Sequence, residues 1–191
     1  METFKEEKKV IPAKKEQQKK KFLYLLDLDQ TEVKKLTAED VEDATKVMRK
    51  CGFEFTEKEV DDIIKLGMSF GTYVNRMLVG VGLGWPTTFD YEKRTLAGKE
   101  VNAMYMEDPA VLLSHEGRNI RRLLLHEREK EAILSRLKYS IAYLYQDLPR
   151  GEISEYIRET GSQLEKLYLS EEYEFFRTEK GVLAVKKIDK Q

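Results

Sequence analysis

The stretch from Met106 to Leu125 reads Met-Glu-Asp-Pro-Ala-Val-Leu-Leu-Ser-His-Glu-Gly-Arg-Asn-Ile-Arg-Arg-Leu-Leu-Leu. It predicts the end of a strand, a short polar loop and then a helix. A loop that leads into a helix N-terminus presents unpaired N–H groups and the positive end of the helix dipole. Arg118, Arg121 and Arg122 oppose that dipole, which is unfavourable unless an anion is present. The stretch therefore predicts an anion site suited to a pyrophosphate; alternatively, the arginines pair with nearby acids such as Glu116.

The same stretch resembles the acetyl-CoA-binding core of the GNAT-type N-acetyltransferases. In that family a strand ending in Glu-Asp-x-x-Val leads into a loop of pattern Arg/Gln-x-x-Gly-x-Gly/Ala and then an apolar helix. Without gaps, the signature positions of the loop hold Glu116, Asn119 and Arg121 in this chain. The resemblance implies acetyl-CoA as co-substrate. Its pyrophosphate would be held by Gly117, Arg118, Asn119, Ile120, Arg121 and Arg122, and its pantetheine arm would pair with the backbone of Pro109, Ala110, Val111 and Leu112.

The resemblance also implies catalytic residues. Relatives often carry a glutamate on this strand that takes a proton from the attacking amine, and Glu107 is the match; the alternative is that Glu107 merely ends a strand. Many relatives protonate the leaving thiolate with a tyrosine four residues before the closing glycine of a short helix. Counting back from Gly161 gives Ile157, so the candidate general acid is Tyr156, one position earlier. The segment Thr87 to Glu100 would lie near the acceptor.

Hydrophobic periodicity predicts the order strand, helix, helix, hairpin, strand, helix, strand, helix, strand, strand, which matches the GNAT fold. The resemblance therefore implies an α/β fold class with a mixed and mostly antiparallel sheet of six to seven strands, splayed at its centre and flanked by about four helices. The predicted segments include strands at Glu32–Leu36, Val101–Asp108, Ser140–Gln146, Leu164–Leu169 and Val182–Ile188, a hairpin turning at Asn75–Arg76, a long helix at Asn119–Lys138 and a charged turn at Glu171–Gly181.

Glycines alternate along the second arm of the predicted hairpin, at Gly80, Gly82 and Gly84. Glycine weakens a strand, so a face without side chains indicates close approach by a ligand or a helix.

Composition limits the kinds of site and the cellular location that we expect for this chain. Charged residues make up 36% of the chain yet leave a net charge of −1, which indicates a surface rich in ion pairs and resembles thermophile composition. One cysteine and two histidines eleven residues apart predict no disulfide and no metal site. No apolar run has the length of a membrane span, and no secretory leader is evident, so we expect a cytoplasmic protein that does not bind membranes.

Residues 1–21 form a lysine-rich segment with few large apolar residues, which predicts a disordered basic arm. Residues 22–191 would then form a single GNAT-like domain, as a monomer or a homodimer. The leading hypothesis is an N-acetyltransferase whose acceptor is an amine-bearing small molecule, peptide or protein. The alternative is a catalytically degenerate GNAT-like domain that acts as a binding or regulatory module, linked to nucleic acid through the arm.

Overall fold

A computed structural model describes residues 31–144 and 150–188. The predicted arm at residues 1–21 and a predicted strand at Phe22–Leu28 lie outside these ranges, so the division of the chain into arm and domain stays a prediction. The described residues form nine strand segments, β1 (Thr31–Lys35), β2 (Phe70–Val74), β3 (Met77–Gly82), β4 (Gly84–Thr88), β5 (Val101–Met106), β6 (Ala110–Val111), β7 (Tyr139–Leu144), β8 (Glu174–Thr178) and β9 (Gly181–Lys187). The α-helices in these ranges are α1 (Val41–Lys50), α2 (Glu57–Ile64), α3 (Ile120–Leu134), α4 (Ile153–Thr160) and α5 (Gln163–Ser170).

The strands form two hydrogen-bonded sheets that share two kinked strands. One sheet has the order β1-β2-β3-β6 and the other the order β4-β5-β7-β9-β8. The chain crosses from the first sheet to the second at Leu83, between β3 and β4, and returns at residues 107–109, between β5 and β6. Counted as continuous strands, the nine segments are seven strands, and the sheet opens between β6 and β7. The predicted fold class, a mixed and mostly antiparallel sheet splayed at its centre, is confirmed.

The hairpin and the helix starts follow from local sequence. Asn75 and Arg76 connect β2 to β3 with φ angles of 50° and 67°, the left-handed backbone that a tight two-residue hairpin turn requires. Helix α2 begins at a capping box in which the Thr56 hydroxyl accepts a hydrogen bond from the Glu59 N–H, and the Glu59 carboxylate accepts one from the Thr56 N–H at 2.8 Å. The hairpin was predicted at this position, and the sequence Thr56-Glu57-Lys58-Glu59 likewise predicts the start of this helix.

The C-terminal third corrects two predictions. Residues Leu164–Leu169, predicted as a strand, lie in helix α5, because Ser162 caps its first turn and Glu165 reaches back to the Ser162 N–H. The predicted turn at Glu171–Gly181 contains strand β8. Helix α5 raises the number of described helices to five, where about four were expected.

Helices cover both faces of the four-stranded sheet. On one face α1 and α2 bury Ala44, Met48 and Val60 against Val81 and Leu83. On the other face α3 approaches the strand of alternating glycines so closely that a Cβ on Gly80 would lie 2.7 Å from Ile120 Cγ2, and one on Gly82 would lie 3.0 Å from Arg128 Nε. The glycine face is therefore occupied by a helix, one of the two predicted possibilities.

Helix α3 also packs on the five-stranded sheet. Leu125 and Ala132 join Met104, Met106 and Ala142 in a cluster to which α4 and α5 contribute as well. None of the helices in the described ranges is long and apolar enough to cross a membrane.

Candidate functional site

The loop between β6 and α3 exposes backbone N–H groups. Gly117 and Asn119 both have left-handed backbone, with φ angles of 78° and 59°. Asn119 begins α3 without a side chain that accepts a hydrogen bond from the first turn, whereas α2, α4 and α5 are capped by Thr56, Glu152 and Ser162. The amides of the first turn of α3 have no partner within the helix, so they are free to bind an anion.

A cavity of about 320 Å³, here called the loop cleft, lies between this loop and helix α5. Its lining includes Gly117, Asn119, Ile120, Arg121 and Arg122 from the loop and the first turn of α3, and Lys166 and Ser170 from α5. Five of the six residues predicted to hold the pyrophosphate thus line one cavity, and the sixth, Arg118, is exposed beside it.

Two of the three loop arginines form ion pairs. The Arg121 guanidinium donates two hydrogen bonds to the Glu116 carboxylate, one of them 2.6 Å long. Arg122 Nε lies 2.9 Å from Glu171, and its Nη2 donates to Ser170 Oγ at 3.1 Å. Within the described ranges Arg118 forms neither a hydrogen bond nor an ion pair. The alternative of arginines paired with acids therefore holds for Arg121 and Arg122, and a phosphate group would compete with Glu116 for Arg121.

Strand β6 offers an open edge next to the loop cleft. Among the described residues it pairs with β3 on one side and is the last strand of its sheet. Because Leu112 N donates to Val79 O at 2.9 Å, the alternation of an antiparallel ladder turns the N–H and C=O of Val111 to the open edge. Val111 O accepts a hydrogen bond from Cys51 Sγ at 3.3 Å. Pro109 lacks an N–H, and Ala110 faces β3, so Val111 is the position on β6 best placed to pair with an extended ligand.

A second cavity of about 700 Å³ adjoins the loop cleft and shares Val111, Glu116, Arg121 and Gln163 with it. Asp108 and Pro109 also line it. Burial raises the pKa of the Asp108 carboxyl, while the Arg128 guanidinium lowers it. The two cavities thus lie side by side, from the start of α3 to Asp108 and Pro109.

Glu107 lies at that point. Strands β5 and β7 pair only from Ala103–Tyr139 to Tyr105–Ile141, and Glu107 is the second residue beyond the last pair. Alternation along β5 puts its side chain on the face of Tyr105, opposite to Asp108. Burial raises the pKa of the Glu107 carboxyl, a rise that Arg128 partly offsets. A carboxyl with a raised pKa is a better proton acceptor than an ordinary one.

A buried arginine holds the two kinked strands together at the places where they bend. Arg128, on α3, is fully buried, and its Nη1 donates hydrogen bonds of 2.8 Å to Leu83 O and to Glu107 O. These two carbonyls mark the places where the chain passes between the sheets. Gly82 provides the space for the guanidinium. The periodicity of α3 did not reveal this role, although the glycine row is the sequence feature that permits it.

Tyr156, the predicted general acid, and Tyr168 have different surroundings in the structure. Tyr156, the predicted candidate, lies on α4 with 37% of its surface exposed. Tyr168, on α5, is buried, and its hydroxyl lacks a hydrogen-bond partner within the described ranges, as does Arg128 Nη2. Tyr168 also lies four residues before Glu172, which has a φ of 64°. Burial raises the pKa of Tyr168, an effect that Arg128 opposes.

Tyr168 was not predicted as a site residue, because Leu164–Leu169 was predicted as a strand. The signal was present: Ser162-x-x-Glu165 is a capping-box pattern, and Leu164, Leu167 and Tyr168 follow at helical spacing. In the described part of the chain, no three His, Cys, Asp or Glu side chains are grouped so as to hold a metal ion.

The kinked strands, the splayed sheet and the uncapped helix beside the opening define the GNAT fold, and comparison with solved structures shows that this chain has it. The loading GNATL domain of CurA from Lyngbya majuscula is 15% identical, with a TM-score of 0.64 over 83% of this chain and 98% of that domain. The ribosomal-protein-S18-alanine N-acetyltransferase from Escherichia coli is 11% identical, with a TM-score of 0.61 over 84% of this chain and 96% of that enzyme. PaiA N-acetyltransferase from Thermoplasma acidophilum, solved with coenzyme A, is 14% identical, with a TM-score of 0.59 over 82% of this chain and 98% of that protein.

No protein-family model matches the sequence, and no curated protein matches it significantly. At these identities the structural likeness shows the fold alone.

Proposed function

We propose that the chain is an acyltransferase that moves an acetyl group from acetyl-CoA to an amine. The observation that carries this proposal is the meeting of the uncapped start of α3 and the open edge of β6 at the loop cleft, which Val111 and Ile120 both line. A pyrophosphate needs the first feature, and an extended amide-bearing arm needs the second. Coenzyme A has both groups, and the neighbour PaiA was solved with it.

The loop residues would hold the pyrophosphate. The amides of Ile120, Arg121 and Arg122 supply hydrogen-bond donors, and Arg118 supplies a positive charge that no acid in the described ranges neutralises. Arg121 can contribute once the phosphate displaces Glu116. The N–H and C=O of Val111 would pair with the pantetheine arm.

Glu107 would act as the proton acceptor and Tyr168 as the proton donor of the reaction. Acetyl-CoA supplies a thioester, whose acetyl carbon forms a bond to the amine nitrogen as the carbon–sulfur bond breaks. The amine loses one proton, which Glu107 accepts directly or through water, and the departing sulfur receives one from Tyr168. The raised pKa of Glu107 makes this carboxylate more basic, and Tyr168 carries its proton near neutral pH, as a tyrosine ordinarily does. Tyr168 replaces Tyr156 in this proposal because its hydroxyl is buried beside Arg128 rather than exposed on α4.

Isothermal calorimetry with acetyl-CoA, and with CoA for comparison, tests the cofactor site. We expect micromolar binding by the wild type and a loss of at least about tenfold in the Arg121→Glu, Arg122→Glu protein, since two attractive charges become repulsive. The matched control is Lys46→Glu, Lys58→Glu, which changes the net charge equally on α1 and α2. Equal binding by the wild type and the arginine variant would refute the assignment of the loop.

The catalytically degenerate binding module is the second candidate, and the Arg121–Glu116 pair favours it, because an internal carboxylate already occupies a phosphate-binding arginine. A panel of amines, peptides and protein N-termini, assayed for acetylated product by mass spectrometry, separates the two functions. Product from any acceptor that disappears in Glu107→Gln supports the enzyme. CoA binding without product from the whole panel supports the module.

A further inference from the structure

A third cavity lies on the other face of the five-stranded sheet. Helices α3, α4 and α5 cover the face that carries Met104, Met106 and Ala142. The opposite face carries Tyr105 and Tyr143, and is bordered by the loop between β4 and β5 and by the β8–β9 turn. Between these borders lies a cavity of about 830 Å³, here called the basic cleft, whose lining includes Lys93, Arg94, Tyr143, Arg177, Glu179 and Lys180.

The basic cleft includes Tyr143, the residue of β7 whose position in the strand register corresponds to Glu107. Tyr105 pairs with Ile141, and in an unbroken ladder the next residue on the same face of β5, Glu107, would lie opposite Tyr143. The ladder ends before that pair, so the opening of the sheet separates Glu107 from Tyr143. Since Tyr143 lines the basic cleft, the cleft borders this opening on the face opposite to the loop cleft. This is the approach that an acceptor needs when the cofactor occupies the helix side.

The cleft concentrates positive charge. Four of its lining residues are cationic and one, Glu179, is anionic, although the whole chain has a net charge of −1. The Lys93 side chain is 78% exposed, and its Nζ lies 3.7 Å from Asp90 Oδ2, a long contact that makes a weak surface ion pair. The Arg94 guanidinium lies over the Phe176 ring at 4.3 Å, and neither Arg94 nor Lys180 pairs with a carboxylate in the part of the chain that the structure describes. Such a cleft attracts anions and repels cationic amines.

We infer that the basic cleft binds the acceptor and that the acceptor is a peptide whose amino terminus is followed by acidic residues. This inference rests on the proposed function and specifies its substrate class. The cleft volume is within the range of pockets that enclose ligands of drug size, enough for a short peptide segment. The terminal amine points to Glu107, while carboxylates further along the peptide contact Lys93, Arg94 and Lys180. Polyamines, which carry positive charge along their length, are excluded by the same charges.

Fluorescence anisotropy tests the charge preference without requiring turnover. The probes are two peptides labelled at the carboxyl end, Ala-Glu-Asp-Glu-Asp and its uncharged twin Ala-Gln-Asn-Gln-Asn, each titrated with protein that contains saturating CoA. We expect the acidic peptide to bind about tenfold more tightly than its twin. The Lys93→Glu, Lys180→Glu protein should lose that preference, and the Lys46→Glu, Lys58→Glu protein, with the same change in net charge, should retain it.

Several outcomes would overturn the inference. Equal binding of the twins, or an unchanged preference in Lys93→Glu, Lys180→Glu, would remove the basic cleft as the acceptor site. Tighter binding of phosphoethanolamine or of a short single-stranded RNA, measured by competition, would replace the acidic peptide by another anion. Calorimetry with CoA on the same samples distinguishes failure of the acceptor class from failure of the proposed function. Normal CoA binding without a charge preference refutes only the acceptor class. A charge preference without CoA binding refutes the proposed function and with it the acceptor role.

Discussion

The close approach of α3 to the glycine strand predicts that Gly80 and Ile120 are energetically coupled. A Cβ added to Gly80 would lie 2.7 Å from Ile120 Cγ2, about 0.7 Å inside the 3.4 Å at which ordinary contact begins. Overpacking of this kind costs about 1–3 kcal/mol, and Gly80→Ala should therefore destabilise the protein although its backbone is not in the left-handed region. Ile120 is only 2% exposed, so Ile120→Ala should cost about 2–5 kcal/mol through the cavity it leaves.

The double variant should be less destabilised than the sum of the two single variants. Ile120→Ala removes the Cγ2 atom that the methyl group introduced by Gly80→Ala would meet, and the next neighbours, Leu124 Cδ1 and Thr72 Cβ, lie at 3.4 Å, where a methyl group is accommodated. We expect a coupling free energy of about 1–2 kcal/mol in the favourable direction. Equilibrium unfolding in urea, followed by the fluorescence of the single tryptophan, Trp85, gives the four free energies of unfolding.

The control pair is Gly80→Ala with Ile133→Ala, because Ile133 is 53% exposed near the far end of the same helix. That pair should be additive within about 0.5 kcal/mol. If the Gly80–Ile120 pair were equally additive, or if Gly80→Ala alone left the stability unchanged, the close packing of α3 on the glycine strand would be refuted.

Three further predictions concern the site. Arg128→Met should lower the free energy of unfolding by about 2–4 kcal/mol, because Leu83 O and Glu107 O lose a charged donor; urea titration checks it, and an unchanged midpoint would contradict it. Asp108→Asn should raise the melting temperature near neutral pH and have no such effect below about pH 4. The folded protein holds the Asp108 proton more tightly than the unfolded chain does, so the wild type loses stability as the pH rises from the ordinary pKa towards the raised one; a gain that persisted in acid would show another cause. Glu116→Gln should tighten CoA binding about fivefold in calorimetry, since it frees Arg121 and removes a repulsive carboxylate; weaker binding would show that Glu116 positions Arg121 for the phosphates.

Much of the fold could be predicted because local signals and long-range packing agree. The turn at Asn75–Arg76 and the capping box of Thr56 and Glu59 are short-range features, and both occur where the sequence placed them. Residues Leu164–Leu169 show where such prediction fails. Their apolar composition fits a strand as well as a helix, and over so few residues only the capping residues before them distinguish the two.

The site was predictable in its backbone and less so in its side chains. The residues of the loop are adjacent in sequence, so a gapless match could place them beside the start of a helix. The ion pairs of Arg121 with Glu116 and of Arg122 with Glu171 depend on side-chain geometry and, for the second pair, on residues 49 positions apart. The burial of Arg128 beneath Gly82 depends on the packing of α3 against β3, which no local pattern records.

The placement of α3 has a consequence for how the molecule unfolds. Within the described ranges the two sheets are joined through two kinked strands and share no hydrogen-bonded ladder, a connection that by itself would let each sheet open independently. Ile120 and Leu124 of α3 belong to the core beneath the four-stranded sheet, while Leu125 and Ala132 of the same helix belong to the core of the five-stranded one. Detaching the helix exposes both cores at once. The slowest-exchanging amides of β2 and of β9 should therefore share a single opening free energy, as parts of one cooperative unit.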